Sequence, residues 1–474
     1  MNFTSCCVLE IKINRTICCI LEKICLKLLL GIIIVRFCGV LIVKLLKNFN
    51  KTELNEQLLK LKQTYSNFKQ KNLNLNLSRG KPSPRQLDLS NSMLECLNLN
   101  ELLKTSSNLD PRNYGLLGGT LEAKKFFARI LNMPPEQIIV GGNSSLKLMF
   151  DCVSHAMNFG FLNNTPWHKL EKVKFLCPSP GYDRHFAICE QFNIEMIEVK
   201  MRDDGPDMSQ VESLVQSDES IKGIWCVPKY SNPTGVTYSD DVVRAFAKLK
   251  PAAPDFRIFW DNAYIIHHLT EKHDELLNIF SECEKYSNEN MVLEFTSTSK
   301  ITFPGGGISA IAASKSNVEN ILSVLSKQTI GYNKINQLIH CRFFPTFDRL
   351  ESHMKEHAKI MKPKFDLVLN KLETNLKPLG IGKWTNPNGG YFISFNSPKN
   401  CATKIFDLCK QAGLILTDVG ATFPYFDDKD DTNIRIAPSF PSIEELNVAM
   451  DLFCVCAKIA SIEKLLIGGG DINV

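Results

Sequence analysis

Surplus charge is nearly absent from this chain. Lysine and arginine number 55 against 50 aspartates and glutamates, a formal +5 over 474 residues. A nucleic-acid surface needs basic residues clustered on one face, and these are dispersed, so no nucleic-acid partner is expected. Paired C-x-x-C spacing is also missing. The 17 cysteines are scattered, six of them within the first 38 residues. That pattern fits reduced thiols in a cytoplasmic setting and argues against a disulfide scaffold. No apolar run reaches the roughly 20 residues that a spanning helix needs. Leu28 to Val43 is 16 residues with Arg36 near the middle. No small-residue cleavage site follows it, and Glu10 and Glu22 do not suit an arginine-rich organelle presequence. Residues 1–50 therefore read as a hydrophobic extension outside the fold: an anchor, an atypical targeting segment or a mis-assigned start. Membrane contact, if any, is confined to it. Internal repeats, long low-complexity linkers, a G-x-x-x-x-G-K-[ST] loop and a G-x-G-x-x-G fingerprint are lacking as well.

What remains is an ordinary globular composition, 44% apolar and 22% charged, long enough for two or more cores. Lys51 to Lys71 has helical spacing of leucines among charges, and Asn72 to Leu77 alternates like a strand. Short apolar runs then alternate with helical patterns. Strands are expected at 137–140, 173–177, 196–200, 223–227, 257–260, 292–295 and 308–312. Such alternation indicates an α/β layer with a mostly parallel sheet, whose ligands lie beyond the strand C-terminal ends. From about Pro345 a long charged helix, shorter strands and a last helix (443–459) read as a smaller α+β domain.

The residues of chemical interest fall at those strand ends. Val292 to Ala310, VLEFTSTSKITFPGGGISA, is a strand, a hydroxyl-rich turn, one lysine and a glycine run. Lys300, desolvated there, would have a lowered pKa and could form a Schiff base with an aldehyde. Gly141-Gly142-Asn143-Ser144-Ser145 links a strand to a helix N-terminus, an arrangement that binds phosphate. Asn232, in Tyr230-Ser-Asn-Pro-Thr-Gly235, offers an amide donor. Asp261 ends the strand FRIFW, with Tyr264 three residues on. A buried carboxylate needs a charged partner. Singly, each residue reads equally well as a loop lysine, a helix cap, a turn asparagine or a core tyrosine. The shared placement and order outweigh any one of them.

In that order they resemble the class I aminotransferases of pyridoxal phosphate (PLP) fold type I: N-P-x-G, D-x-x-Y, S-x-S-K, then a late arginine. The resemblance runs from about residue 56 to 460. The stretches SRGKPSP, GGNSSLKLMFD, CPSPGYDRHFAICE, FWDNAY, STSKITFPG and NIRIAPSFPS are most similar to the bacterial-type (type Ic) aspartate aminotransferases. The resemblance implies a large PLP-binding domain over 111–345 with a mostly parallel seven-stranded sheet. An N-terminal arm and part of the small domain fall in 51–110, and the C-terminal small domain in 346–474. It implies that Lys300 holds the cofactor and moves the substrate proton. Asp261 pairs with the pyridine nitrogen, Asn232 and Tyr264 bind the phenolate oxygen, and Tyr182 stacks on the ring. Ser144, Ser145, Ser297 and Ser299 hold the phosphate. Tyr114 reaches the phosphate of a neighbouring subunit, so a homodimer with shared sites is implied. Arg435 grips the substrate α-carboxylate, with Gly80 and Asn232 beside it. The implied activity is ping-pong transfer of an amino group between an amino acid, L-aspartate first, and a 2-oxo acid, 2-oxoglutarate first.

One departure stands out. The wider class has an arginine eight residues after the lysine, on the phosphate; here that position is Ile308. Phosphate charge then falls to the N–H groups of Gly141 to Ser145 and to hydroxyls. Arg79, Arg112, Arg184 and Lys229 are candidates for a distal substrate carboxylate. A second enzyme class is raised by His353-Met-Lys-Glu356-His357, which fits the zinc pattern H-x-x-E-H. With no evident third ligand it reads better as a solvated helix face, and no metal is expected. Within PLP chemistry the rivals are a β-lyase or another amino donor. A membrane-tethered binding protein without turnover is more distant, because Lys300, Asp261 and Arg435 are all intact.

Overall fold

The computed structural model describes residues 36–37, 40–41, 45–98, 105–106 and 110–468. Most of the apolar run 28–43, and with it most of the extension 1–50, lies outside the described residues. Asn50 starts the first long helix, Lys51–Gln70, through a reciprocal cap. The Glu53 N–H donates to Asn50 Oδ1 at 2.9 Å, and the Asn50 N–H donates to Glu53 Oε2 at 2.7 Å. Leu46, just before it, is buried in a core with Leu54 and Leu75, so packing reaches back past residue 51.

The main sheet runs, edge to edge, Ile138–Val140, Ser309–Ala313, Val292–Ser297, Arg257–Asp261, Ile221–Cys226, Lys174–Ser179, Glu195–Arg202 and Gly205–Pro206. All seven expected strands are present within one or two residues of their expected ends. The eighth is a two-residue edge strand that turns back on Met201 and Arg202. That strand and Ser309–Ala313 run opposite to the other six strands of the sheet. The expected strand 72–77 shrinks to Leu75–Asn76, paired in parallel with Leu414–Ile415. A three-stranded antiparallel sheet, Lys383–Trp384, Ile393–Asn396 and Asn433–Ile436, carries Arg435.

Alternation along the strands divides the main sheet into two faces. Leu176, Ile258, Trp260 and Val292 enter one core with Phe127, Val243 and Phe246. Phe175, Cys177, Phe259, Leu293 and Phe295 enter another with Met149, Trp167 and Trp225. Both faces are buried, as expected when helices cover a parallel sheet on each side. A third core joins the first helix and Leu75 to Val368, Leu372, Phe395, Ile434 and Leu446. Chain segments hundreds of residues apart are therefore held together by one apolar cluster. Among the described residues no helix is long and apolar enough to cross a membrane.

The long helix Phe347–Asn375 corrects one expectation. His353 and His357 do not lie on a solvated face; they are 4% and 3% exposed. His357 Nε2 is 3.1 Å from His353 Nε2, and His353 Nε2 is 2.8 Å from the Ile301 carbonyl. No metal-holding cluster of His, Cys, Asp or Glu occurs among the described residues. The apolar positions of this helix face the core, and the histidines share that face.

Burial holds His353, His357 and also His340, on the preceding helix Lys334–Phe343, below the usual imidazole range, His357 at about 3 and His340 at about 4. The unfolded chain takes up protons near pH 6.5 that the folded chain refuses. Their contribution is therefore complete above pH 6.5 and is lost as pH falls toward 4, at about 1.4 kcal/mol per pH unit for each group. The unfolding midpoint should drop as pH falls below 6.5. His340→Asn should flatten that slope by close to one proton, measured by urea titration at pH 7, 6, 5 and 4.5.

Candidate active site

The polar residues converge at the C-terminal ends of the parallel strands. Val140 leads to Gly141–Ser145, Ser179 to Tyr182, Cys226 to Asn232, Arg257–Asp261 ends on its acid, and Ser297 leads to Lys300. A small cavity there is lined by Ser144, Ser145, Tyr182, Asn232, Asp261, Tyr264, Ser297, Ser299 and Lys300.

Lys300 is half-buried, with its ammonium 4.9 Å from the centre of the Tyr264 ring and 5.8 Å from that of Tyr391. Burial pushes its pKa down, and the negative charge of Asp261 partly opposes this. Asp261 is 3% exposed. One of its oxygens, Oδ2, is 3.2 Å from His185 Nε2. The other, Oδ1, is buried with no partner. An unanswered buried carboxylate oxygen is costly and calls for a cationic or N–H donor in the cavity. The phenols of Tyr182 and Tyr264 are held protonated by burial, with the charge of Asp261 adding to the effect. Both therefore remain donors. Asn232 is 3% exposed, and its Oδ1 accepts from Arg435 Nη1 at 3.1 Å. That contact turns the amide nitrogen away from Arg435.

Ser144 stands at the N-cap of the helix Ser145–Phe159 with no side-chain cap bond. Its hydroxyl and the first-turn N–H groups are thus left for an anion. Ser297 donates to Ser299 Oγ at 3.1 Å, and Ser299 donates to the Asn143 carbonyl at 2.7 Å. Behind this turn, the Thr298 and Thr302 hydroxyls each lie 3.0 Å from His340 Nε2. Ile308 is 1% exposed and packed in the core; its N–H donates to Thr298 Oγ1 at 2.9 Å. It braces the turn instead of supplying a cation. What the structure offers at Ser144 and Ser145 is N–H groups and hydroxyls, with no cation from position 308.

Several residues that the sequence singles out lie away from this cavity. Tyr114 is 78% exposed and does not line the cavity within one chain. Gly80 does not line it either: a Cβ there would come within 2.5 Å of Phe392 Cζ, and that ring lies 4.9 Å from the Arg435 guanidinium. Glycine at 80 admits the ring that backs Arg435. Arg435 is 6% exposed and reaches the cavity wall through Asn232. Arg112 is engaged at the surface by Asp110. Lys229 lines a separate cavity of about 1380 Å³, which contains none of Lys300, Asp261 and Tyr264. Sequence reading missed His185, in the first turn of the helix Asp183–Gln191 that follows Tyr182. It also missed Tyr391, whose hydroxyl lies 3.4 Å from the Lys300 carbonyl; no motif marks that residue.

The donor set fits PLP: a desolvated lysine for the aldehyde, an open carboxylate oxygen for a ring N–H, protonated phenols and a helix N-terminus for the phosphate. An α/β fold with these groups at its strand ends is that of a PLP-dependent enzyme. Residues 49–468 match the family model described as aspartate amino-transferase. An aspartate aminotransferase of Corynebacterium glutamicum is 43% identical over 404 residues, 85% of this chain and 93% of the relative. A crystal structure of an aspartate transaminase from the same species superposes with a TM-score of 0.86 at 41% identity, covering 89% of this chain and 99% of that one. A more distant α-aminoadipate aminotransferase of Thermus thermophilus, 15% identical over 88% of this chain and 96% of its own, shares the fold with a TM-score of 0.66. The chain belongs to the aspartate amino-transferase family, and its cofactor is PLP.

Gly80→Ala forces the Phe392 ring against a packed core, which should cost about 1–3 kcal/mol of stability. Chemical denaturation would read this directly; an unshifted midpoint would show that the ring has room to move.

Proposed function

We propose that this chain transfers an amino group between L-aspartate and 2-oxoglutarate in two half-reactions, at sites shared across a homodimer. The open Oδ1 of Asp261, buried in the same cavity as Lys300, is the observation that carries the site assignment. The aspartate aminotransferase name of a relative 43% identical supports the donor.

Bound PLP supplies an aldehyde for amines and a ring that withdraws electrons from the substrate carbon. Lys300 is the amine that holds the aldehyde, and its lowered pKa favours the neutral form that can act as a nucleophile. With the cofactor bound, the Lys300 amine would be the general base for the substrate Cα proton and would be placed to hand it back. Asp261 keeps a proton on the ring nitrogen, and His185 fixes the carboxylate that does so. Tyr264 and Asn232 donate to the ring oxygen, and Tyr182 covers the ring. Ser144, Ser145, Ser297, Ser299 and the helix N-terminus hold the phosphate. Tyr114, exposed on its loop, serves the site of a second copy.

Arg435 orients the substrate through its α-carboxylate, a role suited to a rigid guanidinium fork. Gly80 contributes by making room for the ring behind that guanidinium. The described cysteines are all free, which supports a reducing, cytoplasmic setting.

Lys300→Ala should abolish transamination in an amino-acid and 2-oxo-acid panel while circular dichroism and the melting temperature stay near wild type. Normal turnover in that variant would remove the lysine from the chemistry. Arg435→Lys keeps the charge and loses the fork. It should raise KM for both carboxylate substrates by at least tenfold, the equivalent of about 1.4 kcal/mol.

A further inference from the structure

Every nitrogen of the Arg435 guanidinium has a hydrogen-bond partner within the chain. Its Nη1 donates to Asp183 Oδ1 at 2.8 Å and to Asn232 Oδ1 at 3.1 Å. Its Nε donates to Thr417 Oγ1 at 3.3 Å, and its Nη2 to the Ser78 carbonyl at 3.4 Å. A carboxylate gripped by two parallel N–H groups therefore finds no open pair. Nη1 has two hydrogens, and both are used.

Of these four partners only Asp183 is charged, and it is the one with room to leave. Asn232 is 3% exposed, Thr417 donates in turn to the Ser78 carbonyl at 2.7 Å, and that carbonyl belongs to the backbone. The Asp183 side chain is 29% exposed, in the first turn of the helix Asp183–Gln191. Its second oxygen already lies 3.9 Å from Arg184 Nε, on a side chain that is half exposed. Asp183 thus stands between a buried guanidinium and a solvated one.

We propose that Asp183 is a resident carboxylate. It occupies the substrate's place on Arg435 in the free enzyme and is displaced toward Arg184 when an α-carboxylate binds. The inference rests on the reading that Arg435 seats that carboxylate. The physical reason is charge balance. A guanidinium 6% exposed is expensive to leave unpaired, and Asp183 neutralises it between turnovers. Two carboxylates cannot both sit on Nη1, so the arriving one exchanges with the resident one, charge for charge. A neutral ligand offers no such exchange, so the device selects for a carboxylate at this point. It also lowers apparent affinity, because only the fraction of enzyme with Asp183 displaced is ready to bind. Asp183 is on this account a positioning and specificity residue, acting through Arg435.

The test is calorimetric titration of the PLP-loaded enzyme with succinate, a dicarboxylate that lacks an amino group and cannot react. Asp183→Asn keeps size and hydrogen bonding and removes the charge; Asp183→Ser is the second variant should the first fold poorly. Both are expected to bind succinate at least about fivefold more tightly than wild type, by removal of the occluding state. Arg184→Gln, which removes the alternative partner, is expected to bind it more weakly. Unchanged or weaker binding in the Asp183 variants would overturn the proposal, and unchanged binding in Arg184→Gln would overturn the relocation. Arg435→Lys separates this from the parent reading. If it binds succinate as wild type does, Arg435 is not the carboxylate seat. If it loses binding while the Asp183 variants match wild type, only the resident-carboxylate inference fails.

Discussion

Phe295 pairs with Asp261 across two parallel strands, and the site depends on that register. Asp261 ends one strand, and two residues past Phe295 the other strand ends at Ser297 and turns into Thr298, Ser299 and Lys300. Side chains alternate faces along a strand, so a slip of one residue would send Asp261 to the opposite side of the sheet. The register is fixed by apolar residues on both faces: Ile258, Trp260 and Val292 on one, Phe259, Leu293 and Phe295 on the other. The distance between an acid and an amine is thereby set by residues that take no part in the chemistry.

The turn carrying Lys300 is braced from behind. His340 meets Thr298 and Thr302, His353 meets the Ile301 carbonyl, and the Ile308 N–H meets Thr298. These groups are buried and paired, and burial keeps the histidines neutral. Where an arginine would be expected, Ile308 gives its side chain to the core and its backbone to the turn. The helix N-terminus after Ser144 keeps a hydroxyl without a capping bond. The same economy appears around Arg435. Its neighbours Asp183, Asn232 and Thr417 come from three separate segments, and Gly80 makes room for the Phe392 ring that backs it.

Much of this was legible in order along the chain. The alternation of short apolar runs with helical patterns located seven of the eight strands of the main sheet, because buried parallel strands and amphipathic helices leave different periods. The strand ends also marked Ser144, Asn232, Asp261 and Lys300, because ligands in such sheets meet the chain where strands stop. The histidine pair 353 and 357 misled: a charged helix suggested solvent, while the core lay on the face that both histidines share. Lys229, a candidate for a distal substrate carboxylate, lines a different cavity from Lys300 and Asp261, a placement that no local pattern records.

The sequence by itself determined the local elements, the chemistry available at each strand end and the likeness that ties them to one cofactor. Those properties depend on residue type and short spacing, which a linear string records in full. Only the tertiary structure decided that His185 answers one oxygen of Asp261 and leaves the other open. The same holds for Tyr391 beside Lys300 and for Asp183 on Arg435. The Arg435–Asp183 contact joins residues about 250 positions apart; it exists because two separate sheets and a helix N-terminus pack together, and no local pattern carries the result of that packing.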